Sequence, residues 1–179
     1  MRHLILLALC FVCACAAPLN IQDMSIEQMQ SFITYEKSEF DSVGTYQSIP
    51  LNDSEITLFK SQSSSVTLRS FESDIRVSHQ LYFYITYSDS DWRFYNGINL
   101  VGGRTLDTDI LDRNVIGCGH ALGCTYSETL TLDVTGAVFE DALKRGLRFR
   151  LNSRFSDNFW EYNIPANFFI AQNKYIKNN

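Results

Sequence analysis

Apolar side chains alternate with polar or aromatic ones along several segments, and this period of two restricts the fold more than any other feature. The pattern runs through residues 66–71, 81–87, 128–134 and 147–152. Successive side chains of a β-strand point to opposite faces of a sheet, so the alternation predicts strands. In 81–87 the side chains that point to either face of the strand are bulky, which predicts a central strand covered on two sides. The expected fold is mainly β, as a β-sandwich or a curved antiparallel sheet.

Three segments carry helical signals instead. Ser25 and Gln28 have the spacing of a capping box, which predicts a short helix over 25–34. The segment 137–145 has acidic residues early, basic residues late and a glycine after its end, as a helix dipole and a C-terminal cap favour. Pro165 suits the start of another helix. We therefore expect two or three short helices beside the sheets, with an α+β arrangement as the alternative.

Polar and glycine-containing pieces predict the connections between strands. The Ser- and Gln-rich run at 61–65 predicts a loop. Asn96-Gly97 and Gly102-Gly103 predict turns. Residues 92–95 follow a turn signal at 89–91, and we expect them to begin the next strand.

Length and charge narrow the class of protein. The chain has 179 residues, 45% of them hydrophobic, and only 3 prolines. These values predict one folded domain and exclude disordered and collagen-like chains. The net charge of −5 argues against a nucleic-acid partner. The longest apolar run, residues 4–12, is too short to span a bilayer as a helix.

The first sixteen residues have the layout of a secretory signal. A basic start at 1–3 precedes the apolar run, and the small residues Ala14, Cys15 and Ala16 follow. This order predicts a signal peptide over 1–16 and a single β-rich domain over 17–179. In a freely secreted protein, cleavage would fall after Ala16 or Ala17.

The sequence Val12-Cys13-Ala14-Cys15 resembles the lipobox of exported bacterial lipoproteins, although Cys13 departs from the Ser, Ala or Thr usual in that family. The resemblance implies cleavage before Cys15 and a lipid anchor on Cys15. Buried acyl chains then hold the mature protein at a membrane, in the bacterial periplasm or at the outer membrane. Free secretion is the alternative localisation.

Only Cys118 and Cys124 remain for the folded domain of an exported chain. An oxidising compartment favours a disulfide between them. The alternative is a periplasmic metal site in which His120 joins the two thiolates as a ligand of zinc or copper.

A second resemblance covers the C-terminal third. The pattern Cys-x5-Cys-x-Tyr-x-Glu, which starts at Cys118 and ends at Glu128, is similar to one in small bacterial exported proteins and lipoproteins of unknown function. It implies an exported bacterial domain and lends no activity, cofactor or catalytic residue.

The sequence contains no nucleophile elbow, no phosphate-binding loop and no zinc-protease motif, so it predicts no catalytic residue and no cofactor. Dense aromatic residues instead suggest a ligand surface that includes Tyr82, Tyr84, Trp92 and Tyr95. We expect a non-enzymatic envelope protein that binds a partner protein or a glycan. The alternative function is an exported hydrolase with a site near His79.

The lipid anchor expected on Cys15 can be tested by mutation. Cys15→Ala removes the thiol that would carry the lipid, so the mature protein should move from the membrane fraction to the soluble fraction. Cys13→Ala is the control and should leave the protein in the membrane fraction, because Ala is usual at that lipobox position. Intact-mass spectrometry of the wild-type protein that finds an unlipidated N-terminus at Ala17 would contradict the lipid anchor.

Overall fold

A computed structural model describes residues 21–56, 61–119, 123–155 and 157–179. It contains a 3-10 turn at Ile21–Asp23, eleven strands and three helices. In chain order the strands are β1 (Thr34–Glu36), β2 (Gly44–Gln47), β3 (Leu51–Ile56), β4 (Ser61–Ser73), β5 (Arg76–Asp89), β6 (Tyr95–Leu100), β7 (Thr105–Asp107), β8 (Asp109–Gly119), β9 (Gly123–Asp133), β10 (Leu147–Ser153) and β11 (Phe159–Ile164). The helices are α1 (Ile26–Gln30), α2 (Gly136–Arg145) and α3 (Ala166–Asn178). The prediction of a mainly β fold with a few short helices is confirmed.

The strands form two antiparallel sheets. The larger has seven strands in the order β1-β2-β4-β5-β9-β8, and β3 pairs with β4 beside β2. The smaller has four strands in the order β11-β10-β6-β7. The predicted central position of the 81–87 strand is confirmed, since β5 lies between β4 and β9. The expectation that both its faces are covered is wrong, because Tyr84 on the other face is 42% exposed.

One face of the seven-stranded sheet is covered by two kinds of element. The four-stranded sheet packs on part of it, and the ring of Phe83 meets Phe149 and Tyr162 with centroids 5.8 and 5.6 Å apart. The helices cover another part: the ring of Phe139 on α2 stacks on His79 at 3.6 Å. The result is a sandwich of sheets and helices around one hydrophobic core. We call the covered side of the large sheet its inner face and the other side its outer face.

The helices begin close to their predicted positions. Ser25 and Gln28 make the predicted capping box. However, α1 ends at Gln30, and the chain enters β1 at Thr34 instead of remaining helical to residue 34. Among the residues that the structure describes, we find no helix with the length and apolar character needed to cross a membrane.

Two predicted connections are strands. Residues 61–65 belong to β4, where their backbone pairs with β3 on one side and β5 on the other. The low strand preference of a Ser-rich run is overcome because both neighbours supply hydrogen-bond partners. Asn96 and Gly97 lie within β6 and pair within the small sheet. The turn at Gly102 and Gly103 is confirmed, and both residues have the positive φ angles (95° and 88°) that favour glycine.

The predicted strand start at residue 92 is wrong, because the strand begins only at Tyr95. A buried carboxylate draws the preceding backbone away. Glu128 of β9 has no exposed surface and accepts hydrogen bonds from the backbone N–H groups of Phe94 and Tyr95, each at 3.0 Å. Phe94 takes a φ of 53°, a left-handed conformation that is uncommon for a residue other than glycine.

Two side chains also donate hydrogen bonds to this carboxylate. The Tyr87 hydroxyl donates to Glu128 at 2.6 Å, and Arg113 Nε on β8 donates to it at 2.9 Å. Each oxygen of the carboxylate therefore accepts two hydrogen bonds, as a buried charge requires. Since Tyr87 lies on β5 and Tyr95 opens β6, one residue links three strands of the large sheet to the first strand of the small one.

This arrangement predicts a large loss of stability for Glu128→Gln. The amide removes the charge that compensates Arg113 and turns an NH₂ group towards groups that donate. We expect the free energy of unfolding in urea to fall by about 3–5 kcal/mol, the range for breaking a buried ion pair.

The matched control is Glu161→Gln, which breaks the exposed ion pair between Arg150 and Glu161 at 2.7 Å. Its two side chains are each 48% exposed, so water screens the pair and the loss should be much smaller than for Glu128→Gln. Equal losses for the two variants would show that Glu128 does not organise the core.

Candidate functional site

The four aromatic residues of the predicted ligand surface do not lie together. Tyr82 and Tyr84 alternate with the buried Leu81, Phe83 and Ile85 and so lie on the outer face. Tyr95 is fully buried, and its ring packs against Tyr87 of the inner face with centroids 6.0 Å apart. Trp92 is also on that side, 4.5 Å from the ring of Tyr126. Only the two tyrosines of β5 can belong to one exposed surface.

Ser and Thr residues surround these two tyrosines on the outer face. Over 63–67 of β4, 82–88 of β5 and 125–131 of β9, the outward positions carry three Ser or Thr residues on β4, two on β5 and four on β9. We call these positions, together with the two tyrosines, the hydroxyl face. Its members are Ser63, Ser65, Thr67, Tyr82, Tyr84, Thr86, Ser88, Thr125, Ser127, Thr129 and Thr131. None of them carries a charge.

The strand register places the residues of the hydroxyl face in rows across β4, β5 and β9, and we call this arrangement the grid. Tyr84 lies between Ser65 on β4 and Thr129 on β9. Tyr82 lies in the next row, between Thr67 and Thr131. Neighbouring strands are about 4.8 Å apart and successive rows about 7 Å apart, as in any antiparallel sheet. The grid is therefore a regularly spaced array of groups that both donate and accept hydrogen bonds.

Hydrogen bonds within the grid hold some of its side chains in place. The hydroxyls of Ser63 and Thr86 share a hydrogen bond of 2.7 Å, and those of Ser88 and Thr125 share one of 3.1 Å. Such cross-strand pairs restrict the side-chain rotamers. Ligand groups would thus meet hydroxyls that are already oriented.

The accessible ring of the hydroxyl face is Tyr84. It is 42% exposed, and no helix or second sheet packs on it among the described residues. The ring of Tyr82 is covered differently, because the guanidinium of Arg69 lies 3.6 Å from its centroid. Charged residues occur only around the grid, with Arg69 near one end and Asp109 and Asp112 on β8 at one side.

Sequence reasoning missed most of this surface, although a signal is present. Hydroxyl residues repeat with a period of two at 63–67, 86–88 and 125–131, and the intervening positions face the core. The first of these runs was interpreted as a loop, so its outward hydroxyls were not assigned to a sheet. Four of the nine Ser or Thr residues are also buried: Thr67 (5% exposed), Ser127 (5%), Thr129 (7%) and Thr131 (2%).

The hydrolase alternative depends on His79, and His79 does contact a serine. Ser70 Oγ lies 2.8 Å from His79 Nδ1, and the amide of Gln172 on α3 donates to the same Oγ at 3.2 Å. However, Ser70 has no exposed surface, since α2 and α3 cover this part of the inner face. A nucleophile must reach a substrate, so the Ser70–His79 pair is a structural contact between β4 and β5 and gives no support to hydrolysis.

Cys118 and Cys124 form a disulfide across the β8–β9 hairpin. Their sulfur atoms are bonded to each other, so this pair offers no thiolate to zinc or copper. His120, the third ligand of that alternative, and Cys15, the predicted lipid site, lie outside the described residues. Within the described part of the chain, no group of three or more His, Cys, Asp or Glu residues could hold a metal ion.

No protein-family model, no curated protein and no solved structure matches this chain.

The burial of His79 predicts a pH dependence of stability. Burial lowers the pKa of His79 to about 4, from an ordinary value of 6.5. The unfolded chain takes up a proton below pH 6.5, whereas the folded chain does so only near pH 4. The stabilisation linked to neutral His79 is present above pH 6.5 and is lost as the pH falls towards 4.

His79→Gln should remove this contribution. Between pH 7 and pH 4.5, the free energy of unfolding in urea should fall less steeply for the variant than for the wild type. The difference in slope should correspond to about one proton, which the wild type takes up on unfolding and the variant does not. Carboxylates titrate in both proteins and cancel in the comparison. Parallel pH profiles for the variant and the wild type would contradict the neutral, buried state of His79.

Proposed function

We propose that the protein is an exported cell-envelope protein of bacteria, tethered by lipid at Cys15, that binds neutral glycan chains through the hydroxyl face. The proposal includes no catalysis. The observation that carries it is the uncharged grid of Ser and Thr hydroxyls around Tyr84, whose ring is 42% exposed.

The grid has the chemistry that a neutral sugar chain requires. Sugar hydroxyls donate and accept hydrogen bonds, as Ser and Thr hydroxyls do. Sugar rings also present C–H groups, which pack on the apolar face of an aromatic ring. Tyr84 supplies such a ring beside the half-buried Ser65, so one sugar unit can stack on the ring while its hydroxyls reach β4.

The composition of the face argues for a glycan over a protein partner. The cores of protein–protein interfaces are enriched in aromatic residues, Met and Arg, and depleted in Ser. The hydroxyl face has the opposite bias, with nine Ser or Thr residues among its eleven members. A protein partner would leave many of these hydroxyls buried without hydrogen-bond partners, which is costly.

The absence of charge within the grid points to a neutral ligand. An anionic polysaccharide would find no cation among the eleven residues and would lie beside Asp109 and Asp112 of β8. A neutral chain avoids the free-energy cost of burying an ion without a partner. Its binding should therefore depend little on salt concentration.

The test is a titration with neutral and acidic oligosaccharides, followed by NMR chemical shifts. Cellohexaose and chitohexaose represent neutral linear chains, and oligogalacturonate represents an acidic one. We expect saturable binding of at least one neutral hexasaccharide, unchanged by 0.5 M NaCl. Tyr84→Ala should weaken it about tenfold, which corresponds to the loss of one aromatic contact.

Tyr35→Ala is the matched control, because Tyr35 has similar exposure (45%) but lies on β1, outside the hydroxyl face. It should leave glycan binding unchanged. The glycan assignment fails if no neutral chain binds, if the acidic chain binds more tightly, or if the two Tyr variants lose affinity equally. A specific envelope protein recovered by cross-linking at Tyr84, with no sugar bound, would favour the protein partner instead.

A further inference from the structure

A second surface feature lies on the covered side of the large sheet, away from the hydroxyl face. It is a cavity of about 320 Å³ between helix α2 and the small sheet, at the lower end of the range of small-molecule sites. Its lining is divided by chemistry. Apolar residues form one part: Leu100, Val101, Ala137, Val138 and Leu147. Three arginines and one carboxylate form the other: Arg104, Arg145, Arg148 and Asp141.

The helix presents one face to this cavity. Ala137, Val138, Asp141 and Arg145 follow one another at intervals of one, three and four residues, which places them along one side of α2. Gly146 then ends the helix, and Leu147 and Arg148, the first residues of β10, also line the cavity. The wall on this side is thus formed by regular structure.

A hydrogen-bonded turn forms the opposite wall. Between β6 and β7, the N–H of Leu100 donates to the carbonyl of Arg104 at 2.8 Å, and the N–H of Gly103 donates to the carbonyl of Leu100 at 3.0 Å. These bonds hold Val101 and Arg104 at the rim. Val101 is 75% exposed and adds apolar surface to the rim.

The charges around the cavity are unbalanced. Asp141 forms an ion pair with Arg145 at 2.8 Å. Across the parts of the chain that the structure describes, no carboxylate lies within ion-pair distance of Arg104 or Arg148. The cavity therefore holds two guanidinium groups without a direct ion pair, on a chain whose net charge is −5, and Glu161 acts on Arg148 only from beyond ion-pair distance. By contrast Arg150, two residues after Arg148, is paired with Glu161.

We infer that this cavity binds a small organic carboxylate with a short apolar body, such as a medium-chain fatty acid. A guanidinium presents a planar fork of donors that matches a carboxylate. Arg104 and Arg148 supply such forks at the rim, and the apolar lining between them accepts the hydrocarbon part. The inference does not depend on glycan binding, because the two sites share no residue.

The test uses octanoate, with octanol, octyl phosphate and acetate as comparison ligands, in calorimetric titrations of the purified full chain. We expect saturable binding of octanoate, at least tenfold weaker binding of octanol, which lacks the charge, and at least tenfold weaker binding of acetate, which lacks the chain. Equal affinity for octanoate and octanol would overturn the role of the arginines. Tighter binding of octyl phosphate would overturn the assignment to carboxylates.

The double variant Arg104→Gln, Arg148→Gln should weaken octanoate binding at least tenfold. Both side chains are exposed, so the fold should persist, and an unchanged melting temperature checks this. Arg154→Gln removes the same charge six residues beyond Arg148, about 20 Å along an extended chain, and should leave octanoate binding unchanged. Equal losses in the double variant and in Arg154→Gln would reject the cavity as the site.

Asp141→Asn should change the affinity for octanoate in the opposite direction. It removes the only carboxylate among the lining residues and releases Arg145 from its ion pair. Octanoate should then bind several-fold more tightly, and Tyr84→Ala should bind octanoate as the wild type does. Weaker binding by Asp141→Asn would contradict an anion at this site.

Discussion

The buried carboxylate of Glu128 is the interaction on which the junction of the two sheets depends. Its four hydrogen bonds come from β5, β8 and the backbone that enters β6. A charge without exposed surface is tolerated only when each of its oxygens is satisfied, so these donors must hold their positions together. The left-handed conformation of Phe94 follows from this requirement, because two successive N–H groups turn towards one carboxylate.

The position of that junction determines which surfaces the molecule offers. With the small sheet and the helices on the inner face, the outer face of β4, β5 and β9 carries polar residues, of which Tyr84 is the most exposed ring. The same arrangement brings the turn after β6 close to α2 and so creates the arginine-lined cavity. One side of the protein thus carries an uncharged hydroxyl grid, and the other carries a compact cationic cavity. The two surfaces suit ligands of different chemistry.

Much of the fold could be predicted, since period-two alternation identifies strands such as 81–87 wherever one face is apolar. The prediction failed at 61–65, where paired neighbours make a strand of a Ser-rich run. It also failed at Trp92 and Tyr95, which were grouped with Tyr82 and Tyr84 because they are close in sequence. The turn before β6 takes Tyr95 into the core instead, and proximity along the chain contains no information on that turn.

Local periodicity and capping were enough to predict the class of fold, the central strand and the helix starts, and the small number of cysteines favoured the pairing of Cys118 with Cys124. Which residues share a surface depends on the tertiary structure. The nine hydroxyls of the outer face come from three strands, and the arginines of the cavity come from a turn, a helix and a strand. Such groups meet through sheet order and layer packing, which arise from contacts between residues far apart in the chain.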